Sequence, residues 1–157
     1  MYEHRFSRWE NWSARLELAG LEYPGVYVIA RVRRDISGRA FSWRPEIVYV
    51  GMTNAVSGLR GRLKQFDDTI QGRLAHGGAD RVRFRFPSYA RLAPLLYVAV
   101  VPHKCNVRAP GPSDFRVMGA VARLEYLCFA EHARKFGDVP QFNRPTSPKY
   151  SKQPKDR

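Results

Sequence analysis

Residues 24–33 read Pro24-Gly25-Val26-Tyr27-Val28-Ile29-Ala30-Arg31-Val32-Arg33. β-Branched side chains crowd Val26–Arg33 and Pro24-Gly25 opens the run, which predicts a strand. Asp35, Ser37 and Gly38 then mark a loop. Glu46–Val50 predicts a second short strand that ends at Gly51. Two strands joined by one loop suggest an antiparallel pair. Gly25-Val26-Tyr27 on the first and Tyr49-Val50-Gly51 on the second put a tyrosine on each of two neighbouring strands.

Downstream, Leu59, Leu63, Phe66, Ile70 and Leu74 recur at i, i+4, i+7, i+11 and i+15 and predict a helix over Ser57–Leu74. Ser57 can cap it. Gly61 and Gly72 weaken it, and a break near Asp67-Asp68 is expected. The leucine stripe faces the sheet. Arg62, with Arg73 near it, lies on one border of the stripe and Arg60 on the other. A border arginine can bury its stem and hold its guanidinium at the sheet edge.

His76-Gly77-Gly78 reads as a turn. Arg81–Phe86 alternates basic and apolar residues, which predicts a strand with Arg81, Arg83 and Arg85 on one face. That face is either a ridge that tracks phosphates or a plain exposed surface. Pro94–Val101 is an unbroken apolar run and predicts a buried strand. Residues 102–113 form a loop, and Asp114 caps a helix that runs to about Phe136. Val117, Val121, Leu124 and Cys128 make its apolar face. Glu125 falls on that face, where a carboxylate is costly unless it is paired or holds a metal. Upstream, Phe6–Ala19 predicts a helix stopped by Gly20. Trp9, Trp12 and Trp43 are expected to be packing residues.

The expected class is α/β (an α+β sandwich): a small, mostly antiparallel sheet between helices. Residues 1–23 form a helical extension, 24–143 the domain, and 144–157 a basic tail with too little apolar content to pack.

Charge is the outlier. The chain has 157 residues with 27 Lys+Arg against 14 Asp+Glu, a net charge of +13. Five of the bases and one acid lie in residues 144–157, so residues 1–143 still hold 22 bases against 13 acids. The excess therefore belongs to the domain and favours a polyanionic partner. No apolar run reaches the length of a membrane span, and the first five residues lack a signal-peptide pattern. Two cysteines, Cys105 and Cys128, make no disulfide framework. A cytoplasmic protein with reduced thiols is expected.

The two triplets on consecutive strands, followed by Leu59-Arg60-Gly61-Arg62-Leu63, resemble the signature of the GIY-YIG nuclease superfamily. The resemblance covers roughly residues 24–143. It implies a metal-dependent DNA endonuclease with Tyr27 as general base and Tyr49 orienting the water or sharing the proton. Arg62 would stabilise charge on the phosphoryl group. Glu125 would hold one Mg²⁺ or Mn²⁺ ion. His76 and Asn143 match a histidine and an asparagine of the family, although His76 in a glycine turn and Asn143 before Arg144-Pro145 have bland readings too. Phe66 stands where some members carry a histidine, and the gap over residues 28–48 is long.

A free phenol has a pKa near 10, so Tyr27 is expected to need lowering by Arg62, the metal or a lysine. Arg60, Lys64, Arg73, Arg81, Arg83 and Arg85 are the candidate nucleic-acid contacts. Such an enzyme would be weakly specific, or specific through insertions and homodimer formation, in a restriction, defence or repair role. The alternatives are a non-catalytic nucleic-acid-binding module on the same fold, and a zinc-stabilised adaptor using His103, Cys105, Cys128 and His132. A buried ion pair of Glu125 with Arg62 is the structural alternative to a metal ligand.

Overall fold

Strand β2 (Gly25–Arg31) occupies the interior of the sheet in the computed structural model, which describes residues 5–73 and 76–153. It pairs antiparallel with β3 (Ile47–Thr53) on one side and β4 (Leu96–Pro102) on the other. A two-residue strand, β1 (Glu10–Asn11), extends the other edge, giving the order β1-β4-β2-β3. This is an α+β fold: a four-stranded antiparallel sheet with helices on it, as the sequence suggests. β3 runs past Gly51 to Thr53 because that glycine pairs with Tyr27 within the ladder.

Strand alternation splits the core in two. Val26, Val28, Ala30, Ala99 and Val101 point to one face, where Val121, Leu124 and Cys128 of α4 (Pro112–Phe136) pack. Tyr27, Ile29, Tyr49, Val98 and Val100 point to the other. There they meet Leu59, Leu63, Phe66 and Ile70 of α1 (Gly58–Ile70) and Ala79 and Val82 of α2 (Gly77–Arg85). A short α3 (Tyr89–Leu92) leads into β4.

Three elements differ from the sequence expectation. Phe6–Ala19 is not one helix. The segment holds β1 and a 3₁₀ helix over Trp12–Glu17, and Trp9 and Trp12 enter opposite cores. Trp43 lies in the same core as Trp9, so all three tryptophans pack inside. Residues 81–86 are not a strand: Arg81–Arg85 belong to α2, whose buried residues Ala79 and Val82 sit three apart, as a helix face requires. α1 does not break at Asp67-Asp68. Both carboxylates are buried within the helix and neutralised there, Asp67 by Arg15 at 3.0 Å and Asp68 by Lys64 and Arg73 at 2.6 and 2.8 Å. Trp12 Nε1, Tyr89 Oη and Gln71 Nε2 also donate to Asp67, each at 2.7 Å. α1 ends at Ile70, and Leu74 lies outside the described residues.

After α4, residues 144–153 lie against α2 despite their scarcity of apolar side chains. Arg83 stacks on the Tyr150 ring at 3.7 Å, Arg81 Nε donates to Ser147 O at 3.2 Å, and Ser151 donates through N and Oγ to Asp80 at 3.2 and 2.5 Å. Polar and stacking contacts do the work that apolar burial would otherwise do. Residues 154–157, with Lys155 and Arg157, lie outside the described residues.

Candidate active site

The register of β2 and β3 builds the centre. Tyr27 is paired with Gly51, and Tyr49 with Ile29, so the two tyrosines sit on the same face in diagonal positions with ring centroids 6.0 Å apart. The phenol of Tyr27 lies over Gly51, where a Cβ would overlap its ring and hydroxyl. Gly25 is needed for a different close approach, since a Cβ there would meet Val101 O of β4. The glycines of both triplets are thus explained by what passes over them. Gly78 does the same for the second tyrosine: a Cβ at Gly78 would overlap the Tyr49 ring.

His76 caps α2 and enters this centre. Its backbone N donates to Thr69 Oγ1 at 2.9 Å, and its Nδ1 accepts from Ala79 N–H at 3.2 Å. With Nδ1 accepting, a neutral imidazole carries its proton on Nε2. Nε2 lies 3.1 Å from Tyr27 Oη, so the imidazole donates and the phenol oxygen accepts. Burial, reinforced by the positive charge of Arg62, lowers the His76 pKa to about 4, which keeps the ring neutral at pH 7. Phe66 holds the imidazole edge-on at 5.3 Å.

Tyr27 is fully buried, and its pKa is raised well above that of a free phenol, by desolvation first and then by Tyr49. Arg62 opposes the shift without overcoming it. Of the three sources of lowering expected, Arg62 is present but does not suffice: burial dominates, and the resting phenol is neutral. Burial raises Tyr49 as well, with Arg62 and Arg81 pulling it down and Glu125 pushing it up.

Arg62 projects from the half-buried border of α1. One terminal nitrogen donates to Gln65 Oε1 at 3.1 Å, and Nε is buried without a partner. Glu125 of α4 is half-buried, and among the described residues its carboxylate takes part in no ion pair or hydrogen bond. Desolvation raises its pKa, and the nearby Arg62 charge opposes that. No ion pair joins Glu125 to Arg62 among the described residues, so a guanidinium and a carboxylate face one centre with capacity to spare.

Asn143 stands at the edge of that centre with a fixed task. Its Oδ1 accepts from Val50 N–H at 2.9 Å and its Nδ2 donates to Val50 O at 2.7 Å. It pairs with the outer edge of β3 as another strand would, directly beside Tyr49.

The basic candidates divide. Lys64 and Arg73 are committed to Asp68. Arg60 and Arg85 are exposed. Arg81 faces the tail and acts on Tyr49, whereas Arg83 is covered by Tyr150, so the three arginines of residues 81–85 form no ridge. The tail adds Lys149, whose Nζ stands beside Gly77 at the start of α2, 3.7 Å from where an added Cβ would lie.

Comparison with known families, curated proteins and solved structures returned no match to this chain.

Tyr27, Tyr49, Arg62, His76 and Glu125 are thus brought together from β2, β3, α1, the start of α2 and α4. Asn143 supports the assembly from outside. Thr69, Gly78 and the Ala79 N–H were missed in the sequence; only the Gly77-Gly78 doublet hinted that something packs closely there. No group of three or more His, Cys, Asp or Glu side chains that could hold a metal forms among the described residues, so His103, Cys105, Cys128 and His132 make no zinc site there. His132 Nδ1 instead bonds to Asp138 O at 2.6 Å. Among the described residues no helix is long and apolar enough to cross a membrane.

Proposed function

We propose that this chain is a metal-dependent endonuclease that hydrolyses phosphodiester bonds of DNA. The observation that carries the proposal is the meeting of a half-buried, unpaired Glu125 carboxylate and the Arg62 guanidinium beside the Tyr27–His76 hydrogen bond. The likeness of both triplets to GIY-YIG nucleases and the charge of +13 support it.

A lone carboxylate fits Mg²⁺, which keeps most of its waters and needs one or two protein oxygens. Glu125 would hold the ion, which when bound supplies Lewis-acid polarisation of the phosphoryl group. Arg62, with Nε free, offers donors to the phosphoryl oxygens as charge builds on them. Tyr27 would accept the proton of the attacking water at Oη as the phenolate, once its own phenolic proton has passed to solvent. His76 Nε2–H already donates to that oxygen and stabilises the phenolate as it forms. The neutral state of His76 matters, because a second full cation beside Arg62 would be costly in a buried site. Tyr49 sits where it can orient a water toward Tyr27.

The burial of Tyr27 also favours a second reading, a nucleic-acid-binding module whose phenol never ionises. One assay separates the two. Nicking of plasmid DNA in Mg²⁺ or Mn²⁺ is expected for the wild type, reduced roughly 10²–10³-fold in Arg62→Ala and abolished in Glu125→Ala. DNA that is bound in a gel shift yet never cut would replace the endonuclease with the binding module.

A further inference from the structure

Arg31 and Arg85 stand over the Phe86 ring at the end of α2 opposite His76, and Arg91 lines the same cavity. Together with Ser88 they line a cavity of about 260 Å³. The guanidinium of Arg31 stands 4.1 Å from the Phe86 centroid and that of Arg85 stands 5.0 Å from it. Such stacking fixes the planes of the two forks. No carboxylate lines the cavity, and none of the three arginines has an ion-pair partner among the described residues. Arg31 Nε is buried without a hydrogen-bond acceptor. Like charges held together with unused donors are an arrangement that an anion relieves.

The position of the cavity points to the anion. Arg31 lies four residues beyond Tyr27 on β2, and the strand alternation puts both on the face that carries α2. At the rise of a strand the two are about 13 Å apart. α2 connects the same two places, with His76 capping one end and Arg85 closing the other.

We propose that the Arg31–Arg85–Arg91 cavity is a second phosphate site, holding a backbone phosphate of the nucleic-acid strand presented to Tyr27, two to four nucleotides from the bond to be cut. The count is about four at the 3.4 Å axial spacing of phosphates in a stacked strand, and fewer in an extended one. The site would anchor the strand at a fixed distance from the reacting phosphate. It rests on the endonuclease reading only for where the cut falls.

The test measures binding without cutting. Fluorescence anisotropy of a single-stranded 12-mer and of its duplex is followed in EDTA across a salt series. Wild type is compared with Arg85→Gln/Arg91→Gln and with Arg123→Gln on α4. Both exposed substitutions in the double variant are compatible with folding, which circular dichroism checks. The double variant should bind about tenfold or more weakly, with a log–log salt slope shallower by about one contact; Arg123→Gln should stay close to wild type. Oligonucleotides with one uncharged methylphosphonate linkage, moved along the strand, should weaken wild-type binding at one position to which the double variant is indifferent.

Equal affinity of wild type and double variant, or the same response of both to every neutral linkage, overturns the second phosphate site even if the protein cuts DNA. Loss of binding in the double variant of a protein that never cuts would sustain the site and remove the endonuclease instead.

Discussion

Tyr27 faces Gly51 across the β2–β3 ladder, and its hydroxyl accepts from His76 Nε2–H. Replacing Tyr27 by Phe keeps the ring over Gly51 and removes only the oxygen. For a general base the expected loss of nicking is roughly 10²–10⁴-fold, with DNA affinity retained in a gel shift. Full activity in Tyr27→Phe would place the base elsewhere. His76 makes a separate prediction on stability. Its folded pKa of about 4 lies below the unfolded 6.5, so between those values the unfolded chain binds more protons. Stability is therefore complete above pH 6.5 and falls as pH drops toward 4, by roughly 3 kcal/mol. His132, whose pKa is also lowered by burial, adds a loss of the same sign. The measurement is thus a difference: urea unfolding of wild type and His76→Asn at pH 7 and 4.5. Asn can still accept from Ala79 N–H, and the variant should lose less stability on acidification than wild type. Parallel losses in the two proteins would show that His76 is not buried neutral.

Among the elements, those held by long-range ladders were legible and those held by specific polar contacts were not. Val26–Arg33, Glu46–Val50 and Pro94–Val101 are apolar or β-branched runs that suit a sheet in any context, and they form β2, β3 and β4. The stripe of Leu59, Leu63, Phe66 and Ile70 likewise forms α1. Arg81–Phe86 has a period of two by composition. Yet the helix there is set by a His76 cap, the first-turn Asp80 and the fit of Gly78 under Tyr49, none of which periodicity records. Trp9 and Trp12 share helical spacing, but the chain crosses between two cores at β1. The candidate site residues came from the resemblance of the two triplets to the GIY-YIG signature; the neutral state of Tyr27 was not legible, since burial depends on α1 and α2 closing over the sheet. Asn143 belongs to this scale. Asn143→Ala leaves the Val50 N–H and C=O on the edge of β3 without partners, at a cost of roughly 1–3 kcal/mol. It should lower nicking through the displaced Tyr49 while Tyr27 and His76 remain in place. Thermal unfolding beside the nicking assay checks this. An unchanged melting temperature would mean that water replaces Asn143 at no cost.

The whole molecule carries +13, and its tail brings Lys149 and Lys152 over α2 beside Arg81. Charge alone and charge in a fixed place make opposite predictions for one substitution. Asp80 is 4 % exposed and holds the tail through two hydrogen bonds from Ser151. Asp80→Ala raises the net charge by one, so an undirected electrostatic field would bind DNA slightly more tightly. If the tail must be seated on α2 to present Lys149 at the start of the helix, the same change releases it and weakens binding. Seating is the expected answer, because Arg83–Tyr150 stacking and the Arg81–Ser147 bond align the tail with the face that carries Tyr49 and His76. The Asp80→Ala protein should show a several-fold lower affinity in 0.1 M salt and a shallower salt slope, approaching those of a chain that ends at Asn143. Affinity equal to or above wild type would make the tail a diffuse source of charge, and the contact surface would then end at Arg81.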